Sequence, residues 1–421
     1  LAVAVGAALA SRRPSLRRPA ALAGPAILVV LCLLAARAGT SPHPLAEAPP
    51  ALSREGVGLL VAAAAAIWVC LLFSESLDGR ELLGVAAVGG ATTVLLGARS
   101  PLLFGVAALV GVAALTLSWV RASPGRGTLA AGRVAGSGAA ALIGASIFLP
   151  VTAQGDAGAE IAGMAAGLLA VGLIAMVALV PLGGWAAGSL ATLRPSQAAI
   201  WLLLLAPAVL LCATAIPSGL PASGRLALQH TLLVCGLISS GWAGALAVRA
   251  PGRRRGDPGS GVGAPAPGAL RYRRIALGDL ALVAVGIGTG QPVAVPATLL
   301  IILSHLVVGP LLLQDPRAGL ELPRRGLWLA LSGVPPSPSF WGRFLVLQAC
   351  AGFGGLIVVA CVFAEGLLTL AGVLAITRGA VSGGQAAARH QVAAAWALTL
   401  AAAAVSLVPM AAIQLVFGAG G

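Results

Sequence analysis

The sequence predicts an all-α, polytopic membrane protein with about fourteen transmembrane helices, and three observations carry that reading. Of its 421 residues, 59% are hydrophobic and only 9% charged, and the mean hydropathy is +1.00, far above what a water-soluble domain tolerates. Apolar runs of membrane-crossing length recur along the whole chain. Basic residues collect in the short connections between them, as cytoplasmic loops do under the positive-inside rule. At about 20 residues per crossing, fourteen helices take about 280 residues and leave roughly 140 for loops and ends, so no large soluble domain fits.

In chain order, an apolar stub at 1–10 comes first, followed by Arg12, Arg13, Arg17 and Arg18. A signal peptide places its positive charge before the apolar core, so the stub reads as the end of a first helix. Further spans are expected at 20–38, 57–73, 82–98, 101–120, 128–149, 161–180, 198–216, 226–248, 275–291, 292–313, 326–348, 352–377 and 390–416. The boundaries at 81/82 and 291/292 rest on turn residues alone. Strict alternation puts Arg121/Arg126, Arg194, the 249–274 connection, Arg317/Arg324/Arg325 and Arg378/Arg389 on one side, and the acidic loop with Asp156 and Glu160 on the other. This predicts a multi-pass protein of a bacterial-type cytoplasmic membrane with its basic loops cytoplasmic. The 249–274 connection, rich in Gly, Pro and Arg, is expected to be a flexible hinge.

The net charge of +14 therefore reports topology and excludes a nucleic-acid partner; the lipid bilayer is the partner it implies. All 26 basic residues are Arg. The six cysteines (Cys32, Cys70, Cys212, Cys235, Cys350 and Cys361) lie in apolar runs without CxxC or metal-like spacing, so packing is their expected role. Gly-rich runs at 84–97, 132–144 and 352–355 suit close helix packing. None has the strand-turn-helix context of a phosphate loop. With no HExxH, no GxSxG and no paired carboxylate motif in a loop, the chain offers no catalytic residues of its own, no metal site and no cofactor.

Two spans are interrupted. One runs from Met176 through Pro181-Leu-Gly-Gly-Trp185 to Arg194-Pro195-Ser196, the other through Ser332-Gly-Val-Pro335-Pro336-Ser-Pro338-Ser-Phe340-Trp-Gly-Arg343. A proline inside a membrane helix frees carbonyls that lipid cannot satisfy, so broken helices line protein-buried or hydrated cavities; the alternative is a simple kink between packed helices. The breaks fall in the seventh and twelfth spans, and corresponding breaks in two halves point to repeat-built transporters.

The segment GVPPSPSFWGRFLVLQA at 333–349 resembles the Gly-x-Pro-Pro-x-x-x-Phe-x-Gly-Lys/Glu-Phe signature of the antiporter-like membrane subunits of respiratory complex I (NADH-quinone oxidoreductase), energy-converting hydrogenases and multisubunit cation/proton antiporters. Pro181 to Trp185 with Arg194 to Ala198 resembles a worn form of the family's Pro-Phe-His-x-Trp and Ala-Pro-Thr-Pro-Val segment. Leu303-Ser304-His305 is similar to the Thr/Ala-His of its eleventh span, and Tyr272 to Ile275 to the opening of its tenth. The resemblance covers roughly residues 80–380 and implies two inverted five-helix repeats with broken seventh and twelfth helices. It divides the chain into N-terminal helices (1–81), a first repeat half (82–216), a connecting helix and basic loop (217–274), a second half (275–377) and a C-terminal helix (378–421). It further implies a membrane arm of similar subunits, with redox chemistry in separate hydrophilic partners and no redox cofactor in this chain.

The departures bear on function. Where the family has a Glu in the fifth span this chain has Ala107 or Ala108, and Met176 stands at the Lys of the seventh. The Lys positions of the eighth and eleventh spans fall near Ala208 and Gly309. A proton relay needs side chains that change protonation state, and Arg stays charged. The first half therefore reads as a disabled channel, and the ion-path candidates are Arg343, His305, Asp279 and Glu365, all in apolar runs. Arg343 is either a pairing or gating residue or a snorkelling one, and His305 either a relay or a hydrogen-bonded packing residue. His230 reads as structural, Arg133 as snorkelling, and His43 and His390 as loop residues. The broken-helix elements are Pro181, Trp185, Pro195, Pro335, Pro336 and Phe340. The leading expectation is a divergent antiporter-like, proton-translocating membrane subunit of a complex-I-related oxidoreductase or energy-converting hydrogenase with a degenerate first-half relay; a self-contained ion or solute permease of the same fold, a purely structural membrane-arm subunit and a membrane enzyme on lipid-linked substrates are its rivals.

Overall fold

Without water to satisfy peptide groups, an apolar chain in lipid closes its hydrogen bonds within helices. The computed structural model describes residues 54–73, 79–98, 101–122, 126–149, 158–215, 220–249, 266–353, 355–377 and 386–417, and these are helical almost throughout. The stub at 1–10, the span at 20–38, His43, Cys32, Asp156 and most of the basic connection lie outside them. Extended pairing among the described residues is a single bridge between Ala318 and Ala386.

The helices are α1 (Arg54–Leu72), α2 (Gly79–Leu96), α3 (Pro101–Ala122), α4 (Arg126–Phe148), α5 (Gly158–Val177), the short α6 (Gly184–Leu190) and α7 (Pro195–Ala199). A π-helical turn, Ile200–Leu205, leads into α8 (Ala206–Ala215). Then follow α9 (Ala222–Val248), α10 (Pro267–Gly288), α11 (Ala294–Leu312), α12 (Glu321–Leu331), α13 (Pro338–Phe353), α14 (Leu356–Thr377), α15 (Arg389–Leu407) and α16 (Pro409–Phe417). Eight helices among the described residues are long and apolar enough to cross a membrane. The chain is a multi-pass, all-helical membrane protein.

Several boundaries differ from expectation. The connection expected to be a loop as far as Arg274 is helical from Pro267 onward, because its arginines find acceptors at neighbouring helix ends. Arg271 Nε donates to Ala247 O at 2.8 Å and Arg274 Nη1 to Leu246 O at 2.7 Å, both at the C-terminus of α9. Arg273, fully buried, donates through Nη1 to Leu193 O at 2.8 Å and to Leu190 O, the last residue of α6. Orphan carbonyls and the helix dipole both favour a cation there. His390, expected in a loop, lies in α15. The expected span at 390–416 is divided at Val408, before Pro409. The 198–216 span widens to π just ahead of Pro207, whose missing N–H disrupts the regular ladder.

Packing runs α2–α3–α4–α5 on one side and α9–α10–α11–α13 on the other, with α9 also against α5 and α14. Close approach depends on missing side chains: a Cβ on Gly138 of α4 would lie 3.1 Å from Gly172 O of α5, and one on Gly172 would lie 3.0 Å from Gly138 O.

Candidate functional site

The second half gathers its ionisable residues around one carboxylate. Asp279 and Tyr272 are seven residues apart on α10, two turns along one face. The Tyr272 hydroxyl lies 3.2 Å from His305 Nδ1, and His305 Nε2 lies 2.8 Å from Asp279 Oδ2. With its proton on Nε2, His305 donates to the carboxylate and accepts from the phenol, so both contacts are satisfied. Arg343 of α13 completes the network: its Nε and Nη2 donate to Asp279 Oδ1 at 3.1 and 2.7 Å. All are sealed from solvent, at 1% exposure for Asp279, 4% for His305, 6% for Arg343 and 0% for Tyr272. The three donors on one carboxylate compensate the charge that burial would otherwise make costly.

The break between α12 and α13 shapes the seat of Arg343. Gly333 has φ +71°, and a Cβ there would fall 2.6 Å from Arg343 Nη1, so the position needs glycine for its backbone and for the guanidinium. Ser332 Oγ accepts from Val334 N at 3.3 Å and Ser337 Oγ from Phe340 N at 3.2 Å, beside the backbone bond from Phe340 N to Ser337 O at 3.1 Å. The Pro335–Pro336 peptide is cis, and both prolines are exposed. Phe340 stacks on Phe344 with centroids 5.8 Å apart and meets Trp341 edge-on.

Glu365, on α14, is 1% exposed and stands beside this network. Its Oε1 accepts from Thr369 Oγ1 at 2.8 Å and lies 3.5 Å from where a Gly278 Cβ would be, next to Asp279. Neither Glu365 Oε2 nor Arg343 Nη1 has a hydrogen-bond partner in the protein.

The first half is built of different material. The chain breaks after α5 at Ala178 (φ +62°) and a cis Val180–Pro181 peptide, and Val180 N donates to Ser239 Oγ at 2.7 Å. Gly183 is required, since a Cβ would lie 2.1 Å from Ala178 O. Trp185 packs between Trp119 and Trp201, with centroids at 6.1 and 5.3 Å, and Pro195 opens α7. Ala107, Ala108, Met176 and Ala208 are all buried among apolar side chains. Gly309 lies against Tyr272: a Cβ would be 2.5 Å from the phenol oxygen.

Of the residues singled out in the sequence, Asp279, His305 and Arg343 are in contact and Glu365 adjoins them, while Pro181, Trp185 and Pro195 form a separate aromatic site. Tyr272 was visible only as part of a motif; its spacing to Asp279 was the available signal. His230 is exposed with its ring 6.0 Å from Phe353, and Arg133 is exposed on α4. The described cysteines are free thiols. Among the described residues, no group of three or more His, Cys, Asp or Glu is placed to hold a metal ion.

No protein-family profile and no curated protein matches the chain, but solved structures do. A chain of respiratory complex I from Thermus thermophilus superposes with a TM-score of 0.74 at 18% identity, over 100% of this chain and 98% of that one. A chain of an archaeal membrane-bound sulfane sulfur reductase gives 0.80 at 13%, over 99% and 95%. A chain of the Mrp complex from Dietzia sp. gives 0.74 at 15%, over 99% and 94%. In fold, therefore, this chain is similar over its whole length to chains of these three complexes.

Proposed function

We propose that the chain is a membrane-arm subunit of a multisubunit, respiratory-type complex, with an ion path confined to its second half. The observation that carries this reading is the buried Tyr272–His305–Asp279–Arg343 network with Glu365 beside it. Intramembrane ionisable groups are costly and are retained where charge or substrate moves. The full-length likeness to chains of complex I, the Mrp complex and the sulfane sulfur reductase supports the assembly.

In this proposal the chain has about fourteen spans in two inverted five-helix repeats, 82–216 and 275–377. Residues 1–81 and 378–421 flank them, and 217–274 connect them on the cytoplasmic side of a bacterial-type membrane. Hydrophilic partner subunits supply the redox chemistry. Asp279 is the fixed negative centre, His305 the ring that bridges it to Tyr272, and Arg343 the permanent cation paired with it. The first half, apolar at every position where the resembled family is charged, serves as a packed spacer.

Tagged purification in mild detergent, with native sizing and mass spectrometry, tests the assembly. Co-purification of hydrophilic redox subunits in stoichiometric amounts is expected; a lone, transport-competent chain would replace this reading with a self-contained permease. In the intact complex, Asp279→Asn and His305→Ala should abolish ion coupling, and unchanged coupling in both would remove the second-half path.

A further inference from the structure

The charges of the buried cluster do not balance if both carboxylates are ionised. Asp279 and Arg343 neutralise each other, and a His305 in the neutral tautomer that fits both of its contacts adds no charge. An ionised Glu365 would be a further negative charge, buried at 1% exposure, with Thr369 as its hydrogen-bond donor in the protein. Such a group is expensive in a membrane interior. Meanwhile the cluster contains one donor and one acceptor that the chain leaves unmatched: Arg343 Nη1 and Glu365 Oε2. The groups that act electrostatically on Glu365 are Arg343 of α13 and Asp279 of α10, with Thr369 on its own helix. From α9, the Ser240 carbonyl and Ala243 border the same Gly278 position that Glu365 Oε1 borders.

We propose that Glu365 is the member of the cluster that takes up and releases a proton, and that Arg343 is shared between the two carboxylates. This deepens the ion-path reading above and rests on it. When Glu365 is protonated, Arg343 holds Asp279 Oδ1 through Nε and Nη2, as seen. When Glu365 gives its O–H proton to water, its carboxylate gains the charge that Nη1 lacks a partner for. The guanidinium then turns toward Oε2 and loosens its grip on Asp279, whose other oxygen stays with His305. No bond other than O–H breaks, and no redox partner is needed. A residue that never titrates thereby links the protonation of one helix to the ion pairing of two others.

The test is infrared difference spectroscopy of the purified full-length chain in lipid nanodiscs, following the C=O stretch of protonated carboxyl groups as pH is varied. The wild type should show a buried carboxyl band that titrates. Glu365→Gln should remove it. Asp279→Asn should shift its midpoint, because Arg343 is then released to Glu365. A band that never titrates, that survives Glu365→Gln, or whose midpoint is unmoved by Asp279→Asn would overturn the proposal. If Glu365→Gln fails to fold, Thr369→Val, which removes the protein's hydrogen bond to Oε1, should shift the same midpoint, and an unmoved midpoint counts against it. Because the readout is a vibration of the isolated chain, its outcome is separable from whether the assembled complex moves ions.

Discussion

The two broken helices solve the same backbone problem with opposite chemistry. Between α5 and α6 the break at Ala178 to Gly183 is held by the Ser239 hydroxyl and covered by Trp119, Trp185 and Trp201. Between α12 and α13 the break at Ser332 to Ser337 lies against Arg343, which pairs with Asp279. A freed carbonyl needs only a nearby donor or a glycine turn, so a break can be held without a buried charge beside it. Helix breaks thus mark where a path can be built, and the side chains around them decide whether one exists.

The strongest way to break this contrast is Asp279→Ala. It leaves His305 buried without its acceptor and Arg343 with only Glu365 to turn to, and removing one member of a buried pair costs about 3–5 kcal/mol. Denaturant unfolding of the purified chain in detergent should show that loss. The double variant Asp279→Leu/Arg343→Met should recover much of it, since replacing a whole buried pair is often neutral. Equal destabilisation by single and double variants would mean that the pair is not the source.

Next in size is Met176→Lys, which places a cation beside the first break. Met176 is buried with no acid at Ala107 or Ala108, so a penalty of roughly 2.5–3.5 kcal/mol is expected, partly relieved by adding Ala108→Glu. A Lys accepted without cost would reveal hydration in a region that we describe as packed and apolar.

Arg273→Met probes the contact between α10 and the segment after α6. Its side chain, from α10, donates to two carbonyls at the end of α6, and hydrogen bonds to a charged group are worth about 1.5–3 kcal/mol. Two of its nitrogens lack partners, which places the expected loss toward the lower end. Proteolysis between α6 and α7 should quicken in the variant if the cap holds that segment.

The smallest effect is Tyr272→Phe. Losing the hydrogen bond to His305 Nδ1 should cost about 0.5–1.5 kcal/mol, whereas Trp185→Phe removes an indole N–H that has no partner and should cost only packing. If both lose equal stability after correction for buried area, the polar network contributes nothing beyond volume.

How much of this was legible in the sequence differs by level. The spans at 101–120 and 128–149 lie within α3 and α4 to within a residue or two, because hydropathy sums over about twenty residues and needs no knowledge of neighbours. Both breaks were readable from proline and glycine. The 266–274 segment was not: its arginines look like a solvated loop until the ends of α9 and α6 are placed beside them. Asp279, His305, Arg343 and Glu365 stood out as charges in apolar runs, but nothing in their spacing says that the first three touch.

Composition and pattern alone thus determined an all-helical, multi-pass membrane chain, where its helices break and which charges it carries inside. Tertiary structure alone decided that one carboxylate gathers a histidine and an arginine while a second carboxylate waits beside them, and that three arginines cap other helices. The physical reason is that hydrophobicity and proline geometry are local properties of the chain, whereas an ion pair between residues 64 positions apart depends on the depth, rotation and crossing of helices packed against one another.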